Sequence, residues 1–157
     1  MNDYVNVSRY VAILYRRSQL FVVEACQKMN LTFSEYIMLM RVFDNEGAKQ
    51  DELASMLYLD KAVVTRTVNL LQEKGLIYRQ QDELDRRVKH IFLTEQGKAK
   101  HKYLQSVLNT WVEHLVEGMP TDEVNTLFSN FHRLVDRACN ANLIELAKTV
   151  KEDSSDE

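Results

Sequence analysis

Apolar residues recur every three to four positions along most of this chain, the spacing of helices that bury one face. Residues 5–28 predict a first helix, whose apolar positions include Tyr10, Leu14, Phe21 and Ala25. Thr32 and Glu35 then have the spacing of a capping box, so we expect a second helix to begin there and to end at Asn45–Gly47. Its predicted buried positions are Tyr36, Leu39, Met40 and Phe43.

Two shorter helices joined by a tight turn are predicted next. The first covers roughly residues 50–57 and buries Leu53, Ala54 and Leu57. Asp60 is expected to cap the second helix, which runs to Lys74 and stops at Gly75. Its inward positions are Val64, Val68 and Leu71, and its outward or lateral positions are Lys61, Ala62, Val63, Thr65, Arg66 and Asn69.

The apolar period changes after Gly75. Residues 76–80 and 88–93 alternate partly and carry β-branched and aromatic residues, which predicts a hairpin with a charged loop between its strands. Thr94 is then expected to cap a helix that ends near Glu117, and Thr121 to begin a last helix. With about 24 and 27 residues, these helices would be about 36 and 40 Å long. Their apolar doublets exceed what one subunit covers, which predicts a symmetric partner copy.

Composition agrees with a helical fold, because 4 glycines and 1 proline in 157 residues leave few turn formers. The longest apolar run, Tyr10–Tyr15, is too short to cross a membrane or form a secretory leader, so we expect a cytoplasmic protein.

Cys26 and Cys139 show no CxxC spacing, which argues against a disulfide framework or a zinc site. The four histidines are also too widely spaced for a helical metal site. Residues 151–157 predict a disordered acidic tail.

Charge is segregated along the chain. Residues 60–102 contain ten basic and six acidic side chains, whereas residues 103–157 contain four basic and ten acidic ones. A basic segment built as a helix-turn-helix followed by a hairpin favours DNA, because a helix fits the major groove and arginine is attracted to a narrow minor groove. The alternative from spacing alone is a helical packing module whose polar residues only keep it in solution.

Four segments, in this order and spacing, carry a resemblance to a known family. They are Glu52–Leu57 (ELASML), Leu59–Arg66 (LDKAVVTR), Leu71–Ile77 (LQEKGLI) and Asp85–Lys98 (DRRVKHIFLTEQGK). Over residues 5 to 148 the chain resembles the multiple-antibiotic-resistance regulator (MarR) family of winged-helix transcription factors. The resemblance implies a mainly α fold with a small β-hairpin wing, in which residues 31–102 bind DNA. It also implies an obligate, triangular homodimer held by residues 1–30 and 103–150.

The same resemblance implies a regulator, more often a repressor, that binds a pseudo-palindromic operator on double-stranded DNA. The candidate DNA-binding residues are Lys61, Ala62, Val63, Thr65, Arg66, Asn69, Arg86 and Arg87. Two departures from the family pattern change their expected chemistry. Ala62 and Val63 replace hydroxyl residues and offer apolar contacts, for instance to thymine methyls. Leu84 stands where the family's wing has its first arginine, so wing contacts rest on Arg86 and Arg87.

Several alternatives stay open from the sequence. Phe21, Tyr36, Met40 and Phe43 could line a pocket for a small aromatic or lipophilic effector, although such a stripe is more often core. Cys26 and Cys139 could sense oxidants, although free cysteine is usually a small buried hydrophobe. No catalytic motif, metal site or cofactor site is predicted, so we expect no enzyme. A dimeric protein-interaction module that keeps the fold without binding DNA is the alternative function.

Overall fold

The computed structural model describes residues 4–150 and forms two compact units, which divide between Leu115 and Val116. The predicted tail at residues 151–157 lies outside the described residues. The first unit contains α1 (Tyr4–Ala25), a 3₁₀ turn (Gln27–Met29), α2 (Phe33–Asp44), α3 (Gln50–Met56), α4 (Lys61–Glu73), β1 (Ile77–Gln81), β2 (Lys89–Leu93) and α5 (Glu95–Leu115). The second unit contains α6 (Thr121–Cys139) and α7 (Leu143–Lys148). The predicted fold class, mainly α with one antiparallel hairpin, is confirmed.

Helix α2 occupies the centre of the first unit, where it contacts α1, α3, α4, α5 and β2. The predicted capping box at Thr32 and Glu35 is present and starts the helix. The predicted buried stripe is only partly right: Met40 and Phe43 are half-buried, whereas Met38 and Val42 are fully buried. Because α2 has neighbours on several sides, its buried surface is wider than the single face that a 3.6-residue period implies.

A buried ion pair ties the start of α2 to the end of α4. The Glu35 carboxylate is 1% exposed and lies 2.7 Å from the Lys74 Nζ, which also donates to the Asn30 carbonyl. Burial raises the pKa of Glu35, but hydrogen bonds from Lys74 and Thr32 outweigh it and hold the pKa below its ordinary value. The pair therefore fixes the orientation of α4 against the core.

Helix α4 buries the face that its apolar spacing predicts. Val64, Val68 and Leu71 are fully buried, and Thr67 joins them by donating its hydroxyl to the Val63 carbonyl. Asp60 occupies the N-cap position, but its side chain accepts no capping hydrogen bond, so the expected side-chain cap is wrong. The α4 backbone begins instead with the Val64 N–H donating to the Asp60 carbonyl.

The hairpin pairs Ile77 with Leu93 and Gln81 with Lys89, so residues 82–88 form its loop. The first strand lies one residue later than predicted, and the second begins one residue later but ends at Leu93 as predicted. The segment Leu93–Lys98 joins the hairpin to α5 through Thr94, whose hydroxyl donates to the Gly75 carbonyl and accepts from the Gly97 N–H. A Cβ at Gly97 would lie 2.1 Å from the Leu76 carbonyl oxygen, so only glycine allows this close approach of helix and strand.

The second unit differs from the single long helix that the apolar spacing predicts. Gly118–Pro120 separates α5 from α6 as expected, but the helix from Thr121 ends at Cys139 and α7 starts at Leu143. Asn140 and Asn142 make the break, since the Asn140 side chain donates to the Asp136 carbonyl and the Asn142 side chain caps α7. Helix α5 also has 21 residues rather than the expected 24.

Candidate nucleic-acid interface

The outward side of α4 is open to solvent. Lys61, Ala62, Thr65, Arg66 and Asn69 are exposed and Val63 is half-buried, as expected for the face opposite the buried valines. Helix α3 contacts α4, and together they form the predicted helix-turn-helix. A helix with one exposed face of this size and composition fits the major groove of B-DNA.

The hydroxyl of Thr65 is already engaged within the protein. It donates to the Lys61 carbonyl at 2.8 Å and accepts from the Gln50 Nε2 of α3 at 2.7 Å. Its methyl group therefore remains as the free part of the side chain. Together with Ala62 and Val63 it makes the N-terminal half of the α4 surface more apolar than the side-chain types suggest.

Arg79 of β1 holds two amide side chains on α4. Its guanidinium donates to the Asn69 Oδ1 at 2.6 Å and to the Gln72 Oε1 at 2.9 Å. Arginine has donors only, so both amide oxygens must face it, which leaves the Asn69 NH₂ group available for a ligand. Burial lowers the pKa of Arg79 without removing its charge. Sequence reasoning missed this contact, because ten residues separate Arg79 from Asn69.

A positively charged cleft of about 380 Å³ lies between α3, α4 and the hairpin. The cations along it are Lys49, Arg79, Arg87 and Lys89. Its one carboxylate, Asp51, pairs with the Lys61 Nζ at 2.8 Å. The remaining charge suits a phosphate group. Gln50, Thr65, Asn69 and Val88 complete the lining. The predicted site did not include Lys49, Gln50, Arg79 and Lys89. The basic charge of residues 60–102 was a signal for Arg79 and Lys89.

The hairpin loop, called the wing loop below and covering residues 82–88, is folded by two aspartates. The Asp82 Oδ1 accepts the N–H groups of Leu84 and Asp85 at 2.9 and 3.0 Å. The Asp85 Oδ1 accepts the N–H of Arg87 at 2.9 Å. Hydrogen bonds from the Asp85 N–H, His90 and the Leu84 N–H lower the pKa of Asp82 to about 2. Both carboxylates thus accept hydrogen bonds from the loop backbone.

The two wing arginines project from this loop. Arg86 and Arg87 are exposed, and neither guanidinium makes an ion pair with any residue in the range 4–150. None of the neighbouring carboxylates, Asp82, Glu83 or Asp85, forms an ion pair with either of them in that range. Leu84 is 99% exposed at the same loop. The wing loop therefore presents two free cations beside one apolar side chain.

His90 joins the wing loop to the segment between α2 and α3. Its Nδ1 lies 2.7 Å from the Gly47 carbonyl oxygen, and its Nε2 lies 3.0 Å from the Asp82 Oδ2. Hydrogen bonds to Asp82 and Gly47 raise the pKa of His90 above its ordinary value. Sequence reasoning considered this histidine only as a metal ligand and missed its role in the hairpin.

The side chains considered for an effector pocket make internal contacts. Phe21 stacks on Trp111 at 5.1 Å between ring centres, and Phe43 stacks on His101 at 4.2 Å. Tyr36 is buried and donates to the Leu104 carbonyl. These contacts favour a packing role.

The two cysteines differ in exposure. Cys26 is fully buried, and burial raises the pKa of its thiol, which disfavours the reactive thiolate. Cys139 is exposed. No group of three or more histidine, cysteine or carboxylate side chains with metal-binding geometry occurs within residues 4–150. In that same range, no helix is long and apolar enough to span a bilayer.

Comparison with known proteins gives consistent matches. The model of the MarR family matches residues 31–89. The chain is 29% identical over 106 residues to the uncharacterized HTH-type transcriptional regulator YybA of Bacillus subtilis strain 168, covering 68% of this chain and 71% of that protein. It is similar to a crystal structure of MarR, with a TM-score of 0.77 and 28% identity. That match covers 86% of this chain and 98% of the other.

A putative MarR family regulator from Listeria monocytogenes, crystallised with a 26mer DNA, shares the fold. Its TM-score is 0.82 at 21% identity, with 98% of this chain and 99% of that chain covered. Residues 31–89 are a MarR-family domain, as the motifs predict, and the relatives to which the chain is similar are transcriptional regulators.

Proposed function

We propose that this MarR-family chain is a homodimeric, cytoplasmic transcriptional repressor that binds a pseudo-palindromic site on double-stranded DNA. The observation that carries the proposal is the arrangement of the exposed α4 face, the cationic cleft and the unpaired Arg86 and Arg87 within one unit. The Listeria relative supports it, since that protein was crystallised with DNA. Helix α4 of each subunit enters a major groove, while the wing loop contacts the adjacent minor groove.

The contacts on α4 predict the chemistry of its half-site. Ala62, Val63 and the Thr65 methyl offer apolar contact to thymine methyl groups. Because its Oδ1 already accepts from Arg79, Asn69 presents its NH₂ group and suits an acceptor such as guanine O6 or N7 better than the bidentate contact to adenine. Arg66 is exposed one turn after Ala62 and can donate to guanine or to a phosphate.

A second copy of the chain is proposed to cover the apolar faces outside the DNA-binding region. Helices α1 and α5 border an apolar groove of about 590 Å³, lined by Val7, Tyr10, Val11, Ile13, Leu14, Arg17, Trp111, His114 and Leu115. Helix α6 buries no residue and exposes Leu127, Phe128, Phe131, Leu134 and Val135. We assign residues 1–30 and 103–150 to dimerisation and 31–102 to DNA. Sedimentation at micromolar concentration should show a dimer, with an unfolding midpoint that depends on protein concentration. A well-folded monomer would contradict this assembly.

Two copies place two α4 helices on the same face of the duplex, at half-sites about one helical turn apart. A small aromatic or lipophilic effector that changes the spacing of the two DNA-binding regions would lower the affinity by a population shift.

Selection of bound sequences from random DNA tests the function directly. We expect a recurring inverted repeat, with an affinity that falls steeply as salt rises. The matched pair of variants is Arg86→Ala/Arg87→Ala, which removes wing charge, and Lys28→Ala/Lys148→Ala, which removes equal charge from exposed positions outside residues 31–102. A protein that enriches no sequence and is not retained on DNA at low salt would instead be a dimeric interaction module without DNA binding.

A further inference from the structure

His90 lies between two acceptors that come from different parts of the first unit. It is the second residue of β2, opposite Gln80. The Gly47 carbonyl on one side belongs to the segment after α2, and the Asp82 carboxylate on the other side begins the wing loop. The Gly47 N–H donates to the Ile91 carbonyl at 2.8 Å, so this segment is held on β2 independently of the histidine ring.

Both acceptors require a proton on the ring. A backbone carbonyl has no hydrogen to give, and neither has an ionised carboxylate, so each contact forms only if His90 donates. The neutral ring carries one N–H and satisfies one of them, whereas the imidazolium satisfies both. In the neutral ring that keeps its proton on Nδ1, the Nε2 lone pair faces a carboxylate oxygen 3.0 Å away, which is repulsive.

The charged groups around the ring favour the imidazolium. Asp82 faces it from the wing loop, and Lys49, whose backbone pairs with that of His90 in an isolated bridge, opposes it from the segment before α3. Glu46 of the same segment is engaged by Lys98 at 3.6 Å and by the Leu93 N–H at 3.2 Å.

Asp82 couples the protonation state of the His90 ring to the wing loop. One carboxylate oxygen faces His90, while the other accepts the Leu84 and Asp85 N–H groups that make the turn. Losing the ring contact frees the Asp82 side chain from His90 and loosens the turn that carries Arg86 and Arg87, although the Asp82 N–H still donates to the Val88 carbonyl.

We propose that the imidazolium form of His90 is a positioning residue for the wing arginines, so that the wing contribution to DNA affinity is present with the ring protonated and is lost on its deprotonation. The inference rests on the proposed DNA-binding function. It concerns the placement of Arg86 and Arg87 and leaves the contacts of α4 unchanged.

The direction of the pH dependence follows from the two titrations. The pKa of His90 is raised above its ordinary value of 6.5, so its contribution is complete below 6.5 and is lost as pH rises through the raised pKa. The pKa of Asp82 is lowered from 3.8 to about 2, so its contribution is complete above its ordinary value and is lost as pH falls through about 2. The link between ring and carboxylate is therefore complete from about pH 4 to about pH 6.5.

The test measures operator affinity from pH 5.5 to pH 9 at constant ionic strength. For the wild type we expect the affinity to fall by about three- to tenfold as the ring loses its proton, the scale of one hydrogen bond. His90→Gln should show a flat profile. Asp82→Asn should reverse the slope, because an amide N–H can donate to neutral Nε2 and protonation would then break the contact. His132→Gln is the matched control, since His132 also pairs with an aspartate, Asp136 on its own helix, and should keep the wild-type profile.

Ring NMR titration separates the inference from a folding effect. The pKa of His90 should lie above 6.5 in the wild type and fall in Asp82→Asn. A wild-type ring pKa at or below 6.5 would overturn the inference, and so would a His90→Gln profile as steep as that of the wild type. Operator binding whose affinity does not change with pH would overturn it while leaving the proposed function intact. Failure to bind any DNA, even at pH 6, would overturn both.

Discussion

Replacing both wing arginines with alanine separates DNA binding from stability. Arg86 and Arg87 are exposed and make no ion pair with any residue of the range 4–150, and the aspartates beside them serve loop N–H groups. Removing two such side chains should change the free energy of unfolding by less than about 0.5 kcal/mol. Any loss of DNA affinity then belongs to the contacts that the side chains make with DNA.

The size of that loss follows from counting phosphates. If each arginine neutralises one phosphate in each subunit of a dimer, the double variant loses four contacts. Each contact contributes about 0.9 to the slope of log affinity against log salt, so the slope should become shallower by about 3.6. Between 50 and 200 mM salt, the wild-type affinity should therefore fall about a hundredfold more than that of the variant.

Fluorescence anisotropy with a labelled operator at four or more salt concentrations measures both slopes, and thermal unfolding measures stability. The Lys28→Ala/Lys148→Ala variant has the same net charge as the arginine variant and should keep the wild-type slope. Unchanged slope and affinity in the arginine variant would refute the reasoning and leave recognition to α4. A large fall in stability would also refute it, since the structure gives these side chains no internal partner.

Three further predictions concern α4 and the contacts beside it. Arg66→Ala should weaken specific binding by about 1–3 kcal/mol and relax the preference at one base if Arg66 contacts a base edge. If Arg66 contacts a phosphate, the variant should bind all sequences more weakly by the same factor. A variant that binds every DNA with wild-type affinity would contradict both. Lys74→Met should lower the free energy of unfolding by about 3 kcal/mol, because the buried Glu35 carboxylate loses its ion pair. Adding Glu35→Gln should restore most of that stability, and urea titrations measure both variants. Gly97→Ala should lower the free energy of unfolding by more than about 2 kcal/mol, because the alanine Cβ would clash with the Leu76 carbonyl. Gly118→Ala should lower it by about 1 kcal/mol, because no atom lies within 4 Å and only the positive φ is unfavourable. Equal losses of stability would argue against the close approach at Gly97.

Short-range sequence signals were enough to locate several elements and their buried faces. The capping box at Thr32 and Glu35 marks the start of α2, and the spacing of Val64, Val68 and Leu71 identifies the inward face of α4. Such signals work because a cap or a helical face involves residues within one or two turns of each other. They also identified the MarR-family domain at residues 31–89, whose motifs are short segments of the same kind.

The hydrogen-bonding groups that remain available on the proposed DNA-binding surface depend on contacts between distant parts of the chain. Arg79 takes the Asn69 oxygen ten residues away, and Gln50 takes the Thr65 hydroxyl fifteen residues away. His90 contacts Gly47 across forty-three residues. A side chain that a pattern places on an exposed face keeps or loses its hydrogen-bonding groups according to what a neighbouring element brings beside it. That approach depends on how helices and strands pack, and local spacing carries no record of it.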